Sequence, residues 1–374
     1  MPNKSLNKLK KSILVQFFNS WFIIMDFQTI TKNFTDELNK SAAGKATSLL
    51  FTVNELPHHP LVRTGEPFQV IKIGGSILQN AMVRNVKKQI LIDSFEEERL
   101  PIFTTKKAFL AFVKSHLRKN TKFLAINFAY PVKPILANGL LDGILLTGTK
   151  EHTFTGLIGQ KIGKSIEDFI KGKFNRNIKV ALANDTVCLL LSGLVDTSPH
   201  NLAGGVVGTG LNFAYFIDNK QLVNLESHNF NKFELSPEAK IIDKLSKNSG
   251  RSLFEKEVAG NWLHMHYNLR RKNQYESIES THELDKIARG KKAGDKQLAQ
   301  NLFERAAQLV ACQIAGITNY KKINMNFVME GSLFWVGWHY RQMVESYLKK
   351  LTNYRITFTE IKDCGIIGAA KLVV

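Results

Sequence analysis

Cysteine is scarce in this chain of 374 residues, and its three copies lie far apart. Cys188, Cys312 and Cys364 match none of the spacings of zinc sites or redox pairs. His264 and His266 lie close together, but no further ligand-type residues accompany them. We therefore predict no metal site built from side chains. Two of the three cysteines fall inside apolar runs and are predicted to be packed small residues, which suits a reducing cytoplasm.

Long apolar runs are also missing. Residues 1–25 come nearest, because several lysines precede an apolar stretch at 13–25, but that stretch contains Gln16, Asn19 and Ser20 and lacks an Ala-x-Ala cleavage site. It is too short and too polar to span a bilayer. An amphipathic anchor with weak membrane association is one interpretation; a translation start at Met25 or a plain N-terminal helix is favoured. No transmembrane span is predicted.

Acidic residues are in deficit, with Lys+Arg 51 against Asp+Glu 32 and a formal net charge of +19. Such a surplus favours polyanionic partners in general. The basic residues are spread along the whole chain, however, and no Lys/Arg block or zinc-finger spacing singles out nucleic acid. We therefore expect a soluble enzyme with a basic surface, long enough for two domains, and no nucleic-acid partner. No oligomeric state is predicted.

Strands and helices alternate along the chain, which predicts a mixed α/β fold. Short apolar runs predict buried strands, and apolar positions three and four residues apart predict helices. Residues 26–66 read as a helix followed by a loop. The predicted strands cover residues 68–73, 80–83, 90–92, 123–130, 178–182, 326–329 and 355–358. The predicted helices cover residues 104–119, 159–170, 298–317 and 365–374, and another follows Ser332 and runs through Tyr347.

Two glycine-rich turns each follow a strand. Gly74-Gly75-Ser76 ends the strand at 68–73, and Gly208-Thr209-Gly210 separates two strands in the second half. Backbone N–H groups in such a turn can approach a phosphate, although for the first turn a plain hairpin explains the sequence equally well. Because the pattern recurs, we predict an internally duplicated architecture that clamps a ligand between its halves.

A carboxylate stands at the end of one predicted buried strand. The apolar run at 178–182 leads to Asn184-Asp185-Thr186, and a new apolar run begins at Val187. Carboxylates in this position face the ligand clefts of α/β proteins. The same residues are also good helix starts, with Asp or Thr accepting a backbone N–H, so a capping role is the alternative.

A series of short motifs, in order and at compatible spacing over residues 48–374, resembles the hexokinase family of sugar kinases. The motifs are Ala129-Tyr130-Pro131, Thr149-Lys150, Asn184-Asp185-Thr186-Val187, 204–212 (GGVVGTGLN), Asn224-Leu225-Glu226, 248–256 (NSGRSLFEK) and Glu330-Gly331-Ser332-Leu333.

The resemblance implies a two-domain α/β fold of the actin-like ATPase (ribonuclease H-like) type, with a ligand cleft between a small and a large domain. On this reading residues 1–47 form an N-terminal extension, 48–195 the small domain and 196–364 the large domain. The last helix, at about 365–374, is expected to return to the small domain.

The resemblance further implies ATP-dependent phosphorylation of the 6-hydroxyl of a hexose, glucose above others, with Mg²⁺ and with domain closure around the sugar. Asp185 corresponds to the general base. The expected sugar-binding residues are Thr149, Lys150, Asn184, Asn212, Glu226 and Glu255. The expected donor-binding residues are Gly74, Gly75, Ser76, Gly208, Thr209, Gly210, Gly331 and Ser332.

Several positions depart from the family pattern, mostly on the donor side. Lys72 stands where the family has an Asp that helps organise Mg²⁺, and Gln79 replaces an Arg. The C-terminal Gly-Ser-Gly-Lys turn is replaced by residues 364–367 (CGII), and the loop serine by Ala129. A catalytically weak or silent sugar-binding regulator is therefore the alternative. An actin-like polymer shares the fold, but nothing in the sequence suggests filament contacts.

Overall fold

The computed structural model describes residues 26–57, 59–87, 89–137, 139–149 and 151–374. The predictions for the N-terminal stretch 1–25 concern residues outside these ranges. Within them, no helix has both the length and the apolar character needed to cross a membrane. Cys188, Cys312 and Cys364 are all buried and none is in a disulfide, as expected for packed thiols.

The first part of the chain builds a five-stranded sheet. One helix and one strand precede this sheet in the sequence, and that strand belongs to the second sheet. In chain order the elements are α1 (Phe27–Ala42), β1 (Thr52–Glu55), β2 (Pro67–Ile73), β3 (Ile77–Val86), β4 (Gln89–Arg99), α2 (Lys106–His116), β5 (Phe123–Phe128), β6 (Val132–Ala137), β7 (Leu140–Leu145), α3 (Ile162–Phe174), β8 (Lys179–Asn184) and α4 (Asp185–Ser192). The strand order in this sheet is β4-β3-β2-β5-β8, and β6 and β7 form a separate hairpin.

The second part builds a six-stranded sheet and most of the helices. Its elements are β9 (Leu202–Val207), β10 (Leu211–Phe216), β11 (Gln221–Asn224), α5 (Pro237–Leu245), α6 (Glu255–Val258), α7 (Gly260–Arg270), α8 (Thr281–Ala288), α9 (Lys296–Lys321), β12 (Met325–Glu330), α10 (Ser332–Val336), α11 (Tyr340–Leu351), β13 (Ile356–Thr359) and α12 (Cys364–Ala370). The strand order is β1-β11-β10-β9-β12-β13.

The two sheets share one topology, which confirms the predicted α/β duplication. In each sheet the first strand of the repeat is central, pairs antiparallel with the next strand through a glycine turn, and pairs parallel with a later strand on its other side. Parallel pairing requires crossover connections, and helices supply them here. Among the described strands of the second sheet, β1 at its edge is the one without a counterpart in the first.

Helices α4 and α12 pack together between the two sheets. Both contribute to one apolar cluster that also contains Ala125 and Ala181 from the first sheet and Leu202 and Val328 from the second. Their approach is so close that a Cβ on Gly368 of α12 would overlap the Cys188 carbonyl oxygen of α4. The position of α4 is therefore fixed from several sides, and with it that of Asp185, its first residue.

Three predictions on local structure need correction. The helix expected to run from Ser332 through Tyr347 is two helices, α10 and α11, separated by a bend at Gly337 to His339 where His339 takes the left-handed conformation (φ 46°). The stretch 26–66 was read as helix and loop, but it also contains β1, which pairs with β11. The hairpin of β6 and β7 was not predicted, since its apolar residues lack a clear period.

The domain boundaries remain predictions. The strand β1 lies inside the range 48–195 expected for the small domain, yet it belongs to the six-stranded sheet. The last helix, α12, contacts β2, β5 and α4.

Candidate active site

Asp185 stands where a strand of the first sheet ends and α4 begins. Both readings of this segment apply: Asn184 is the N-cap, with its Oδ1 accepting the Thr186 N–H at 3.0 Å, and the Asp185 Oδ1 accepts the same N–H at 2.8 Å. A carboxylate at a helix N-terminus is favourably placed with respect to the helix dipole. Because the Asn184 side chain already caps the helix, the Asp185 carboxylate is not needed for capping alone.

Amide and carboxylate side chains form a hydrogen-bonded network across the two sheets beside Asp185. Asn212 on β10 donates to the Thr186 hydroxyl at 3.1 Å and to Asn224 Oδ1 at 2.8 Å. Asn224, the last residue of β11, donates to Glu226 at 2.6 Å and to Asn184 at 3.3 Å. Groups that both donate and accept are suited to sugar hydroxyls, which do the same. The structure therefore brings together Asn184, Asp185, Asn212 and Glu226.

Glu226 is held from its other side by a histidine. His228 Nε2 lies 2.8 Å from Glu226 Oε2, and His228 Nδ1 lies 3.0 Å from the Ser252 hydroxyl. Burial lowers the pKa of His228, but the hydrogen bond and charge of Glu226, together with the charge of Glu255, outweigh it and leave the pKa above its ordinary value. Glu226 itself adopts a left-handed backbone conformation (φ 49°), a strained geometry of the kind found at functional sites.

The Glu226–His228 pair predicts a pH-dependent stability. Because the folded pKa of His228 is raised, its contribution is fully present below the unfolded value near 6.5 and is lost as pH rises through the folded pKa. We expect His228→Gln to lower the free energy of unfolding more at pH 6 than at pH 9, measured by urea titration. His282→Gln, at an exposed position, is the matched control. An equal loss at both pH values would contradict the charged pair.

Glu255, the first residue of α6, joins the site through the second glycine turn. Its Oε2 accepts the Leu211 N–H at 3.1 Å, and Gly210 lies so near that a Cβ there would be 3.0 Å from the same oxygen. Glu255 thus lies next to the turn as well as near His228.

The remaining predicted sugar-binding residues are less closely tied to this group. Thr149 lies in the loop after β7, where its carbonyl oxygen accepts the His152 N–H at 3.0 Å; among the described residues, no hydrogen bond joins it to the network. Lys150 lies outside the described residues.

The second glycine turn and the Gly331 turn lie against each other. Gly208 N–H donates to the Gly210 carbonyl at 3.0 Å, and the Gly208 carbonyl accepts the Gly260 N–H at 2.7 Å. Gly331 has φ 123°, and a Cβ there would overlap the Val207 carbonyl oxygen. The predicted donor residues Gly208, Thr209, Gly210, Gly331 and Ser332 therefore form one continuous backbone surface, with the Thr209 side chain exposed.

The first glycine turn is the hairpin between β2 and β3. Gly74 N–H donates to the Ile77 carbonyl at 3.0 Å, and a Cβ on Gly74 would lie 2.9 Å from that oxygen. The hydroxyl of Tyr130 donates to the Gly74 carbonyl at 3.0 Å, and burial raises the pKa of Tyr130, so that the hydroxyl keeps its proton. Gly74, Gly75 and Ser76 thus belong to the first sheet, and a side chain of the 129–131 loop holds their turn.

An ion pair connects the two donor-side turns. Lys72, on β2 just before the first turn, places its Nζ 3.1 Å from Oε1 of Glu330, which precedes the second sheet's Gly331. Burial lowers the pKa of Lys72, but the charge and hydrogen bond of Glu330, together with the charge of Asp185, leave it above its ordinary value, so the ammonium is charged. Gly365 leaves room for the lysine stem, since a Cβ there would lie 2.6 Å from Lys72 Cδ.

In the part of the chain that the structure describes, no group of three or more His, Cys, Asp or Glu residues could hold a metal ion. At the position where the resemblance implies an Asp that helps organise Mg²⁺, this chain carries the ammonium group of Lys72. The residues present therefore do not fit that arrangement.

The protein has the actin-like ATPase fold, with two sheets of the same topology and a polar site between the ends of their strands. The hexokinase from Schistosoma mansoni, solved in complex with glucose, superimposes with a TM-score of 0.71 at 18% identity and covers 100% of this chain and 99% of its own. A ROK family glucokinase from Streptomyces griseus, solved with glucose and AMPPNP, gives 0.55 at 15% identity over 82% of this chain and 99% of its own.

Sequence comparison narrows the class. Family models described as Hexokinase match residues 25–195 and 265–374, together more than half of the chain. The chain belongs to the hexokinase family.

Its relatives are distant and longer. The Kluyveromyces lactis hexokinase is 25% identical over 63% of this chain, and Mus musculus hexokinase-1 is 28% identical over 37%. The matches span 55% of the first of these proteins and 16% of the second.

Some residues of the site were not predicted as binding residues. Asn224 and His228 complete the network, on either side of Glu226. Tyr130 and Glu330 lie in the sequence motifs, but no role was predicted for them. Their partners, Gly74 and Lys72, lie far away in sequence, so no local pattern could have indicated the contacts.

Proposed function

We propose that this chain phosphorylates the 6-hydroxyl of a hexose, with glucose as the first substrate to test and ATP as the donor. The observation that supports the proposal most is the network of Asn184, Asn212 and Glu226 beside Asp185. It offers donors and acceptors for sugar hydroxyls within one connected group, next to a carboxylate at a strand end. Family membership supports sugar phosphorylation in general.

Each part of the site has a role in this reaction. Asp185 accepts the proton of the 6-hydroxyl as that oxygen bonds to the γ-phosphorus and the bond from phosphorus to the leaving ADP oxygen breaks. The backbone of the turns at Gly208 to Gly210 and at Gly331 would approach the donor's phosphates. Closure of the two halves would exclude water and suppress hydrolysis of the donor.

The test is a coupled assay of the purified protein with glucose, mannose or fructose, using ATP, ADP, GTP or polyphosphate as donor. Glucose binding is measured in parallel by calorimetry. We expect phosphorylated hexose with ATP. Absence of turnover with every donor would contradict the proposal.

One observation favours a second function, that of a sugar-binding regulator without catalysis. The Lys72–Glu330 ion pair lies between the two donor-side turns and could keep a donor out. Retained glucose binding with no turnover, unchanged by Asp185→Asn, would support this function.

The hydroxyl of Tyr130 provides a sharper test of the donor site. Tyr130→Phe keeps the ring and removes the hydroxyl, and with it the hydrogen bond to Gly74, a bond of a kind worth about 0.5–1.5 kcal/mol. We expect the KM for the donor to rise by about two- to tenfold, with hexose affinity unchanged. Tyr340→Phe is the control, because the buried Tyr340 hydroxyl has no hydrogen-bond partner among the described residues. An unchanged donor KM would show that the first turn does not need this support.

A further inference from the structure

The donor side of the site carries a positive charge, that of Lys72, where binding of a divalent cation would favour a negative one. Lys72 Nζ lies 3.1 Å from Glu330 and near enough to Asp185 to be affected by its charge. The neighbouring Cys364 thiol is neutral, since burial raises its pKa to about 12. One ammonium and two carboxylates give this group a net charge of −1, whereas an aspartate at position 72 would make it −3.

This difference alters which charged partner the group attracts. A divalent cation is drawn to clustered carboxylates and is repelled by an adjacent ammonium, whereas phosphate oxygens are repelled by carboxylates and attracted by the ammonium. An ammonium also carries three N–H donors, of which one is directed at Glu330. The others remain suitable for phosphate oxygens.

The position of Lys72 is fixed by its surroundings. It lies on a buried central strand two residues before Gly74, its side chain is only 20% exposed, and its stem packs over Gly365. Glu330 directly precedes Gly331 of the other donor-side turn. The ammonium therefore stands between the two glycine turns that would receive the donor's phosphates.

We propose that Lys72 binds the donor's phosphate oxygens directly and that it takes the place of the metal, so that ATP binds without Mg²⁺. The inference rests on the proposed function only in that the two glycine turns bind a phosphoryl donor. Glu330 acts as a positioning residue, which holds the ammonium between the turns. The chain would thus be a family member with little need for a divalent cation in nucleotide binding.

The test measures ATP binding at equilibrium by calorimetry, in the absence of hexose so that no phosphoryl transfer follows, in excess EDTA and in excess MgCl₂. We expect the unchanged protein to bind ATP in EDTA at least as tightly as in MgCl₂. Lys72→Met, which keeps the length and removes the charge, should weaken ATP binding in EDTA about tenfold or more. Lys72→Arg should retain it, and Lys72→Asp should make binding depend on Mg²⁺.

Controls separate this effect from misfolding. Lys133→Met, at an exposed position on β6, should leave ATP affinity unchanged, and the double change Lys72→Met with Glu330→Gln avoids leaving a carboxylate without its cation. Glucose affinity and thermal unfolding report on the fold of each variant. Binding that requires Mg²⁺, affinity in EDTA that is unaffected or increased by Lys72→Met, or no ATP binding in either condition would overturn the inference.

Failure of the proposed function has a different signature. If no hexose is phosphorylated but ATP binds in EDTA through Lys72, the kinase proposal fails and the inference stands. If hexose is phosphorylated only with Mg²⁺ and ATP binding also requires it, the kinase proposal stands and the inference fails.

Discussion

Replacing Asp185 by Asn is expected to lower kcat for hexose phosphorylation by about 10²–10⁴-fold, the usual contribution of a general base. The change keeps an Oδ1 that can accept the Thr186 N–H, so α4 should begin where it does now. Hexose affinity should stay near that of the unchanged protein, because the neighbouring amides and Glu226 remain in place. The measurement is steady-state kinetics combined with calorimetric titration of glucose.

The control for this prediction is Asp196→Asn. Asp196 is an exposed acid a few residues beyond the same helix, and its change should leave both kcat and hexose affinity unaltered. If Asp185→Asn kept full kcat, the base would have to be another group. If it abolished hexose binding as well, the role of the carboxylate would be to bind the sugar and not to accept the proton.

Gly368→Ala is expected to cause the largest loss of stability of any single change considered. A Cβ at this position would overlap the carbonyl oxygen of Cys188, and this is backbone of α4, which cannot move aside as a flexible side chain could. Inserting a methyl group into such a contact should cost about 3 kcal/mol or more in the free energy of unfolding. Since the contact lies between α4 and α12, activity should fall too, through displacement of Asp185.

Gly172→Ala is the matched control for that change. Gly172 lies within α3, and a Cβ there would have nothing within 4 Å. The substitution should therefore stabilise the protein by about 0.5–1 kcal/mol, the helix preference of Ala over Gly. Urea titrations of both variants test the pair of predictions. A similar effect of the two substitutions would mean that the α4–α12 contact is not tightly packed.

Much of the fold follows from local patterns. The strand at 68–73 alternates, the apolar run at 178–182 is buried, and the long helix at 298–317 is apolar on most faces, so each was predicted within a few residues of its observed bounds. The predictions of secondary structure that were wrong concern elements that depend on tertiary contacts. β1 exists because β11 offers it a pairing edge, and the bend at Gly337 interrupts a pattern that is otherwise helical.

The site was predicted only where a family motif marked it. Asn184, Asp185, Asn212 and Glu226 belong to such motifs, and the structure places them in one hydrogen-bonded group. The sequence showed the charge change at Lys72 but not its partner, because Glu330 lies in the other half of the duplicated chain. Whether these residues bind a hexose and a donor remains a prediction.

The most direct test of the whole account is a crystal structure of the protein with glucose. We predict density for the sugar between the two sheets, with its primary hydroxyl within hydrogen-bonding distance of the Asp185 carboxylate and its ring hydroxyls on Asn212, Glu226 and Glu255. Glucose bound elsewhere, or bound here with the primary hydroxyl directed away from Asp185, would contradict the account.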